Sequence, residues 1–255
     1  MDRRTAVLLP VFIMTEQRSL LLSSRRLKST VEKLLREKNL EDVLVRLQDL
    51  PAKNLVHALF TAICREEPHM KWFAVSCMGM TVDRLAEESF EEARVVMRRF
   101  LWSLNDESGG IGWGAPESLA EIMYHNDRLA KEYHHMLLSY AQEDGEEICQ
   151  DGNFLEHTFL QRGVMWGIGR LALKRGNLLR QKIRDQDFRY YLTQKEDKQV
   201  QGLAAWAVGN LGLRTLIPEL SALINEDAGL SLYLDGIWSP QTVGRLAGEA
   251  LRAIG

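Results

Sequence analysis

The sequence predicts an all-α superhelix, a solenoid of about five helical hairpins that follows an N-terminal helical cap. Three observations predict it. An apolar segment that ends in glycine recurs along the chain, apolar residues keep helical spacing between its copies, and no stretch shows strand alternation or a βαβ rhythm. The closing glycines are Gly79, Gly169, Gly212 and Gly255, of which the last three are 43 residues apart. A fixed period of this size indicates helical units that each bury an apolar face on the next.

The repeat phase predicts one further unit, which ends in tyrosine instead of glycine. Gly79 precedes Gly169 by two steps of 45 residues, so a unit should close near residue 124, where Tyr124 stands. The apolar phase is kept across all five units. The residues immediately before the closing positions are Met78, Met123, Ile168, Leu211 and Ile254.

Three helices are predicted before the repeats. Apolar residues near helical spacing predict a helix over residues 15–38 and a short one over 40–48. Pro51 begins a third over 51–66, because proline is favoured at the first helical position. The chain then divides into a flexible N-terminal extension (1–14), a helical cap (15–67) and a repeat array (68–255), with cap and array forming one continuous solenoid.

The repeat array is expected to alternate first and second helices. Pro68 opens the first hairpin, with helices over 68–87 and 89–104. The next unit has its first helix around residues 114–124. Further second helices are predicted over 127–142, 177–193 and 214–225, and loops over 143–153 and 225–236.

Composition indicates an ordinary soluble chain and disfavours a protein built mainly to neutralise phosphates. Of 255 residues, 45% are hydrophobic and 26% charged, and the formal net charge is −3. Residues 66–160 hold most of the acidic excess, which predicts a polarised surface. The three cysteines form no C-x-x-C pair, and Cys64 and Cys77 lie in apolar helical contexts, so we predict buried reduced thiols in a cytoplasmic protein.

Residues 6–14 form a short apolar run after Arg3 and Arg4. This run is too short to span a bilayer, and no small-residue cleavage site follows it, so no membrane association is predicted. Met14 begins a sequence typical of a cytosolic start. Residues 1–13 are therefore interpreted as an upstream extension or a loose tail, with Met1 and Met14 both open as the native start.

The last two units resemble HEAT repeats, in particular the short subclass named after phycobilisome lyases. The residues that carry the resemblance are 200–212 (VQGLAAWAVGNLG), 217–220 (IPEL) and 243–255 (VGRLAGEALRAIG). The likeness is looser over 68–195 and absent before residue 50, and the whole chain resembles uncharacterised bacterial proteins with such repeats. It implies close stacking through small residues and binding along a curved surface, and it implies no reaction.

The stretch from Asn105 to Glu117 is longer than the short turn that a helical repeat requires at this position. It holds four glycines around Trp113, between two predicted helices. One interpretation is a loop whose backbone N–H groups and following helix N-terminus face a ligand. The other is a long turn fixed by Trp113, with Pro116 at the first helical position. The loop lacks the lysine and hydroxyl residue of a P-loop.

Candidate contact residues lie in and around this loop. Second helices are expected to line a concave face, with the loop beside it and His134 exposed on a second helix. Trp113 and Trp238 are predicted to lie in loops as contact residues, and Trp72, Trp166 and Trp206 to pack between helices. The candidate binding residues are Arg98, Arg99, Asn105, Glu107, Trp113, Glu117, Glu121, Tyr133, His134 and Arg162.

A basic stretch over 170–189 offers a second candidate surface. Its candidate polyanion contacts are Lys174, Arg180, Arg184 and Arg189. The alternative interpretation is a solvated helix with ion pairs, which the acidic total charge favours.

Three functions stay open at this stage. The first is a non-enzymatic scaffold or adaptor that binds a protein partner on its concave face. The second is a nucleic-acid enzyme similar to the HEAT-like DNA glycosylases, a partner class that the net charge disfavours. The third is a lyase-like chaperone for a prosthetic group. No catalytic residue, metal site or cofactor is predicted, because the histidines lack converging partners at ligand spacing.

Overall fold

The computed structural model describes residues 24–105, 112–143 and 152–255, which form twelve α-helices, a 3-10 turn and one β-hairpin. The three N-terminal helices are α1 (Ser24–Leu34), α2 (Leu40–Gln48) and α3 (Ala52–Ile63). The first helices of the units are α4 (Pro68–Glu88), α6 (Ala115–His125), α8 (Thr158–Arg180), α10 (Lys198–Leu211) and α12 (Val243–Ile254). The second helices are α5 (Phe90–Asn105), α7 (Asp127–Ser139), α9 (Asp185–Thr193) and α11 (Ile217–Ala222), with the 3-10 turn Arg214–Leu216 before α11.

The first helices pack on one another in sequence, and glycines make this close packing possible. A Cβ atom at Gly167 of α8 would lie 3.0 Å from the Cβ atom of Ala120 of α6. One at Gly209 of α10 would lie 2.8 Å from the Cβ atom of Ala250 of α12. Because each first helix buries its apolar face on the next, the described units share one core. The predicted all-α superhelix is confirmed, as four helical pairs and the single helix α12.

Local signals set most helix ends where the sequence predicts them. Asn39 accepts hydrogen bonds from the backbone N–H groups of Glu41 and Asp42, which begins α2 at the predicted residue. Gly212 ends α10 with a φ of 68°, a conformation that glycine adopts at low cost. The boundary predicted near residue 177 is wrong. α8 runs through a distorted residue, Arg175, to Arg180, and the second helix begins only at Asp185.

The loop predicted over 225–236 is wrong in its second half, where a β-hairpin forms. Strands β1 (Gly229–Leu234) and β2 (Ile237–Thr242) pair antiparallel around the two-residue turn Asp235-Gly236, whose φ angles of 48° and 86° match the twist of a tight hairpin. Leu230 and Leu232 alternate with exposed residues in β1. This alternation and the Asp-Gly turn are both present in the sequence. They predict a hairpin, but a prediction based on the helical period alone does not include them.

The hairpin, which we call the strap, crosses the row of first helices. Its base lies between α11 and α12, where Leu230 packs against Gly202 of α10. Its tip reaches the N-terminal helices, since a Cβ atom at Gly236 would lie 2.8 Å from the Cβ atom of Leu40 in α2. The strap therefore joins the last unit to the first part of the chain.

The two cysteines that the structure describes differ in burial. Cys77 is buried in α4, and burial raises the pKa of its thiol, whereas Cys64 is exposed at the end of α3, contrary to prediction. Cys149 and the proposed extension over 1–14 lie outside the described residues. None of the helices in the described ranges combines the length and apolar character that crossing a membrane requires.

Candidate ligand-binding site

A cavity of about 910 Å³ lies between the strap and the N-terminal ends of four first helices. Helices α4, α6, α8 and α10 contribute one wall, and both strands of the strap contribute the other. None of the second helices in the described ranges borders it, so the expected contact face of second helices does not form this cavity. Of the residues that the structure describes, five aromatic side chains line it: Trp72, Trp113, Phe159, Trp166 and Trp238.

Three of these aromatic side chains, Trp72, Trp166 and Trp238, form a contact network with Tyr233 that also holds the strap in place. The rings of Trp72 and Trp166 are 4.6 Å apart, and those of Tyr233 and Trp238 are 5.2 Å apart. Trp72 joins the two pairs, with 4.9 Å between its ring and that of Tyr233. Trp72 and Trp166 thus pack between helices and also border the cavity. Trp238 lies in β2, not in the loop that the sequence predicts.

Tyr233 anchors the strap through both its side chain and its backbone. Its hydroxyl shares a hydrogen bond of 2.9 Å with the hydroxyl of Ser76 in α4, and burial raises its pKa. The indole N–H of Trp166 donates to its carbonyl oxygen at 2.9 Å. These contacts hold the strap wall of the cavity at a fixed place relative to α4 and α8.

A nearly buried ion pair lies in the wall of the cavity. Lys71 of α4 donates to Glu117 of α6 at 2.9 Å. The ammonium also lies 4.8 Å from the ring centre of Phe159, a distance at which a cation is attracted to the ring. Gly163 of α8 lets Glu117 approach, since a Cβ atom there would lie 2.6 Å from a carboxylate oxygen. The predicted contact residue Glu117 therefore borders the cavity with a charged partner.

Arg162 supplies a partly exposed positive charge at the cavity. It donates to Asp197 at 2.6 Å, and Asp197 also caps the N-terminus of α10. Arg162, Glu117 and Trp113 are the predicted contact residues that the structure brings together here. Sequence reasoning missed Lys71 and Phe159, whose helical spacing resembles that of ordinary packing residues.

Two polar atoms of the lining residues lack partners. The indole Nε1 of Trp113 and the amide Oε1 of Gln241 are both buried, and neither has a hydrogen-bond partner among the described residues. A buried polar group without a partner costs about 1–3 kcal/mol. Both atoms have almost no solvent-accessible surface, so they lie behind the lining and do not face the open space of the cavity.

A second buried ion pair links α6, α8 and the tip of the strap. Arg170 of α8 donates to both carboxylate oxygens of Glu121, at 2.9 and 3.0 Å, and also to Asp235. Its guanidinium stacks 3.7 Å above the ring of Tyr124. Burial alone lowers the pKa of Arg170, but the hydrogen bonds and charges of Glu121 and Asp235 outweigh it and raise that pKa above its ordinary value. Glu121, a predicted contact residue, is thus occupied by the chain itself.

Other predicted contact residues lie on α5, away from the cavity. Arg98 pairs with Glu91 at 2.6 Å. Arg99 stacks 4.0 Å above the ring of Phe60. Asn105 accepts a hydrogen bond of 3.2 Å from the Tyr140 hydroxyl. Glu107 lies outside the described residues.

The predicted exposure of His134 is wrong. His134 and its neighbour Tyr133 are buried in α7, and Nδ1 of His134 lies 3.0 Å from the carbonyl oxygen of Ala130. Burial lowers the pKa of His134. The apolar stripe of α7 includes these two polar residues, so neither is accessible to a partner in this conformation.

The basic stretch has partners within the chain. Lys174 lies 5.1 Å from the ring centre of Tyr124, and Arg180 donates to the carbonyl oxygen of Leu211 at 2.8 Å. Arg184 pairs with Asp187 at 3.1 Å and Arg189 with Glu219 at 2.6 Å. In the described ranges, no three His, Cys, Asp or Glu side chains converge as metal ligands would.

Comparison with known proteins shows similarity of fold only. No family model matches the chain, and no curated protein matches it. An engineered protein solved by the Northeast Structural Genomics Consortium superimposes with a TM-score of 0.54 and 14% identity, over 96% of this chain and 99% of that one. A designed armadillo repeat protein gives a TM-score of 0.52 and 15% identity, over 95% and 99% of the two chains. A second engineered protein from that consortium gives 0.50 and 14%, over 89% and 96%. The chain therefore has the fold of an armadillo-like helical repeat solenoid.

Proposed function

We propose that the protein is a non-enzymatic binding module, and that it captures a segment of a protein partner in the cavity between the first helices and the strap. The observation that carries the proposal is the aromatic lining of this cavity, which has about 910 Å³ of space. Tryptophan and arginine dominate the energetics of protein interfaces, and four tryptophans and Arg162 lie here. We also propose that the repeats belong to the HEAT-like subclass.

The dimensions of the site favour a chain segment as its ligand. Packed helices lie about 8–10 Å apart, so four of them in a row extend over roughly 24–30 Å. An extended chain covers about 3.3 Å per residue, so some eight residues reach from α4 to α10. A compact small molecule fits only part of this length.

The electrostatics of the site favour an uncharged segment. Lys71 and Arg162 each pair with a carboxylate of the chain, Glu117 and Asp197. A charged ligand that approaches Lys71 or Arg162 has to break one of these pairs, which is costly for the nearly buried pair of Lys71 and Glu117. The basic residues on which the nucleic-acid alternative depends are likewise occupied by the chain's own groups.

Arg98 and Arg99 remain a proposed secondary contact surface on α5. Arg98 is exposed, and its ion pair with Glu91 is solvated and of small energetic value. A partner that extends beyond the cavity meets these side chains at little desolvation cost.

The test is a selection of random twelve-residue peptides displayed on phage against the purified protein. Each selected peptide is then measured by fluorescence anisotropy with the wild type and with Ser231→Trp. Ser231 is an exposed residue of β1 that lines the cavity, so the indole fills part of that space without replacing a core residue. We expect selected peptides to lose at least about tenfold in affinity, or about 1.4 kcal/mol.

The matched control is Ser221→Trp, at an exposed serine of α11 that does not line the cavity. It should bind the selected peptides with wild-type affinity. If the selected peptides bind Ser231→Trp with wild-type affinity, the binding surface lies elsewhere and the proposal is overturned.

A further inference from the structure

Three segments of the chain lie outside the described residues, and one of them has the composition of a ligand for the cavity. Residues 106–111 (DESGGI) carry two acidic side chains, and residues 144–151 (DGEEICQD) carry four. Residues 1–23 include the apolar run 6–14 (AVLLPVFIM), nine residues without a charge. A charged segment near Lys71 has to break its nearly buried pair with Glu117, so the apolar run suits this site better than the acidic segments.

The position of α1 brings the apolar run within reach of the cavity. Glu32 of α1 pairs with Arg65 at 2.5 Å, and Arg65 lines the cavity. Ser24, where α1 begins, precedes Glu32 by eight residues, which is about 12 Å along a helix. Residues 14–23 extend over up to about 33 Å, so Met14 can reach the end of the cavity at α4.

The length and the backbone preference of the apolar run match the row of first helices. An extended segment of nine residues covers about 30 Å, and the distance from α4 to α10 is roughly 24–30 Å. Pro10 lies in the middle of the run, where it disfavours a helix and biases Leu9 towards an extended conformation. The run is therefore long enough to cross the same four helices as the proposed partner segment.

We infer that the apolar run, residues 6–14, binds in the cavity of its own chain, an inference that rests on the proposed function. A segment tethered by a short linker has an effective concentration in the millimolar range, so it occupies the cavity ahead of a free partner of equal affinity. Its apolar side chains are removed from water against Trp72, Trp238 and Leu230 of the lining. A protein partner then has to displace the run, with a segment that is likewise uncharged and apolar.

The first test is Leu9→Asp in the full-length protein, which puts a charge in the middle of the apolar run. The phage selection is carried out on this variant and on the wild type, and cavity-dependent peptides are those whose affinity Ser231→Trp lowers. We expect Leu9→Asp to bind them at least about fivefold more tightly than the wild type does. The apparent Kd rises as the fraction of protein with an open cavity falls, and this variant opens the cavity.

Gln17→Asp is the matched control, because it adds the same charge between the apolar run and α1. It should bind the peptides with wild-type affinity, and thermal unfolding by circular dichroism checks that both variants fold. If Leu9→Asp binds cavity-dependent peptides no more tightly than the wild type, this inference is overturned and the proposed function stands. If neither protein yields a cavity-dependent peptide, both are overturned.

A photo-cross-link locates the apolar run directly. We expect p-benzoylphenylalanine in place of Phe12 to join the run, on irradiation of the full-length protein, to a fragment of the same chain that contains Trp72 or the strap. Mass spectrometry after proteolysis identifies the fragment. A cross-link between two chains would assign the cavity to the run of a second copy, and a cross-link to another surface would place the run outside the cavity. Either result overturns the inference.

Discussion

The indole N–H of Trp166 in α8 donates a hydrogen bond of 2.9 Å to the backbone carbonyl of Tyr233 in β1. These two residues join the repeat array to the strap, which the repeat pattern does not require. Trp166 has the position and burial of a packing residue. Its N–H group is nevertheless hydrogen-bonded to a backbone carbonyl at the edge of β1. Open strand edges promote pairing with other chains, because their backbone groups are free.

Trp166→Phe should destabilise the protein because it leaves this carbonyl without its partner. Removing the donor from a buried hydrogen bond costs about 1–3 kcal/mol, and the smaller ring adds a cavity term. Urea unfolding followed by circular dichroism measures the change in free energy of unfolding. Trp102→Phe, at an exposed tryptophan, should stay within about 0.5 kcal/mol of the wild type. Equal stabilities of the two variants would contradict the structural role of the Trp166 indole.

Replacing Arg170 and replacing its exposed partner Asp235 should have very different effects. Arg170→Met leaves the buried carboxylate of Glu121 without its cationic partner, with only His125 at 3.3 Å, and should cost about 3–5 kcal/mol of unfolding free energy. Asp235→Asn removes a charge that is 70% exposed, and asparagine tolerates the positive φ of this turn, so the cost should be about 1 kcal/mol or less. Chemical unfolding of both variants gives the comparison. A larger loss of unfolding free energy for Asp235→Asn would show that the main role of Arg170 is to hold the strap, not to link α6 and α8.

Alanine substitutions at two glycines should change stability in opposite directions. Gly209→Ala places a methyl group 2.8 Å from the Cα of Ala250, so α10 and α12 have to separate, at a cost of about 1–3 kcal/mol. Gly248 in α12 has only the flexible end of Arg252 within reach, at 3.7 Å. Gly248→Ala should therefore stabilise the protein by about 0.5–1 kcal/mol, because glycine is unfavourable within a helix. Thermal unfolding checks the sign of each change, and destabilisation by both variants would contradict the close approach at Gly209 as the cause.

The repeat phase shows why the sequence predicts the array better than the site. Spacing alone predicts Tyr124 at the end of a unit, and it is the next-to-last residue of α6, because stacking imposes the same apolar phase on every unit. The site depends on pairs of residues whose contacts the repeat spacing does not specify. Lys71 and Glu117 are 46 residues apart and meet only through the stacking of α4 on α6. Trp113 can be identified from the sequence because it lies in a segment longer than a helical repeat requires, whereas the strap does not follow the helical period at all.

The buried His134 predicts that stability decreases as the pH falls. Burial lowers the pKa of His134 in the folded state, so the folded protein favours the neutral imidazole more than the unfolded chain does. This contribution is complete above the unfolded pKa of about 6.5 and is lost as the pH falls through the lower folded value. The neighbouring charges of His135 and Lys182 act in the same direction.

The measurement is the free energy of unfolding in urea between pH 7.5 and pH 5, compared between variants at each pH (roughly the range over which histidine titrates). His134→Gln removes the titrating group, so its stability should fall less across this range than that of the wild type. His135→Gln, at the exposed neighbouring position, should keep almost the whole wild-type slope. A wild-type slope in His134→Gln would show that the acid sensitivity comes from other groups, and that His134 takes up its proton equally well in both states.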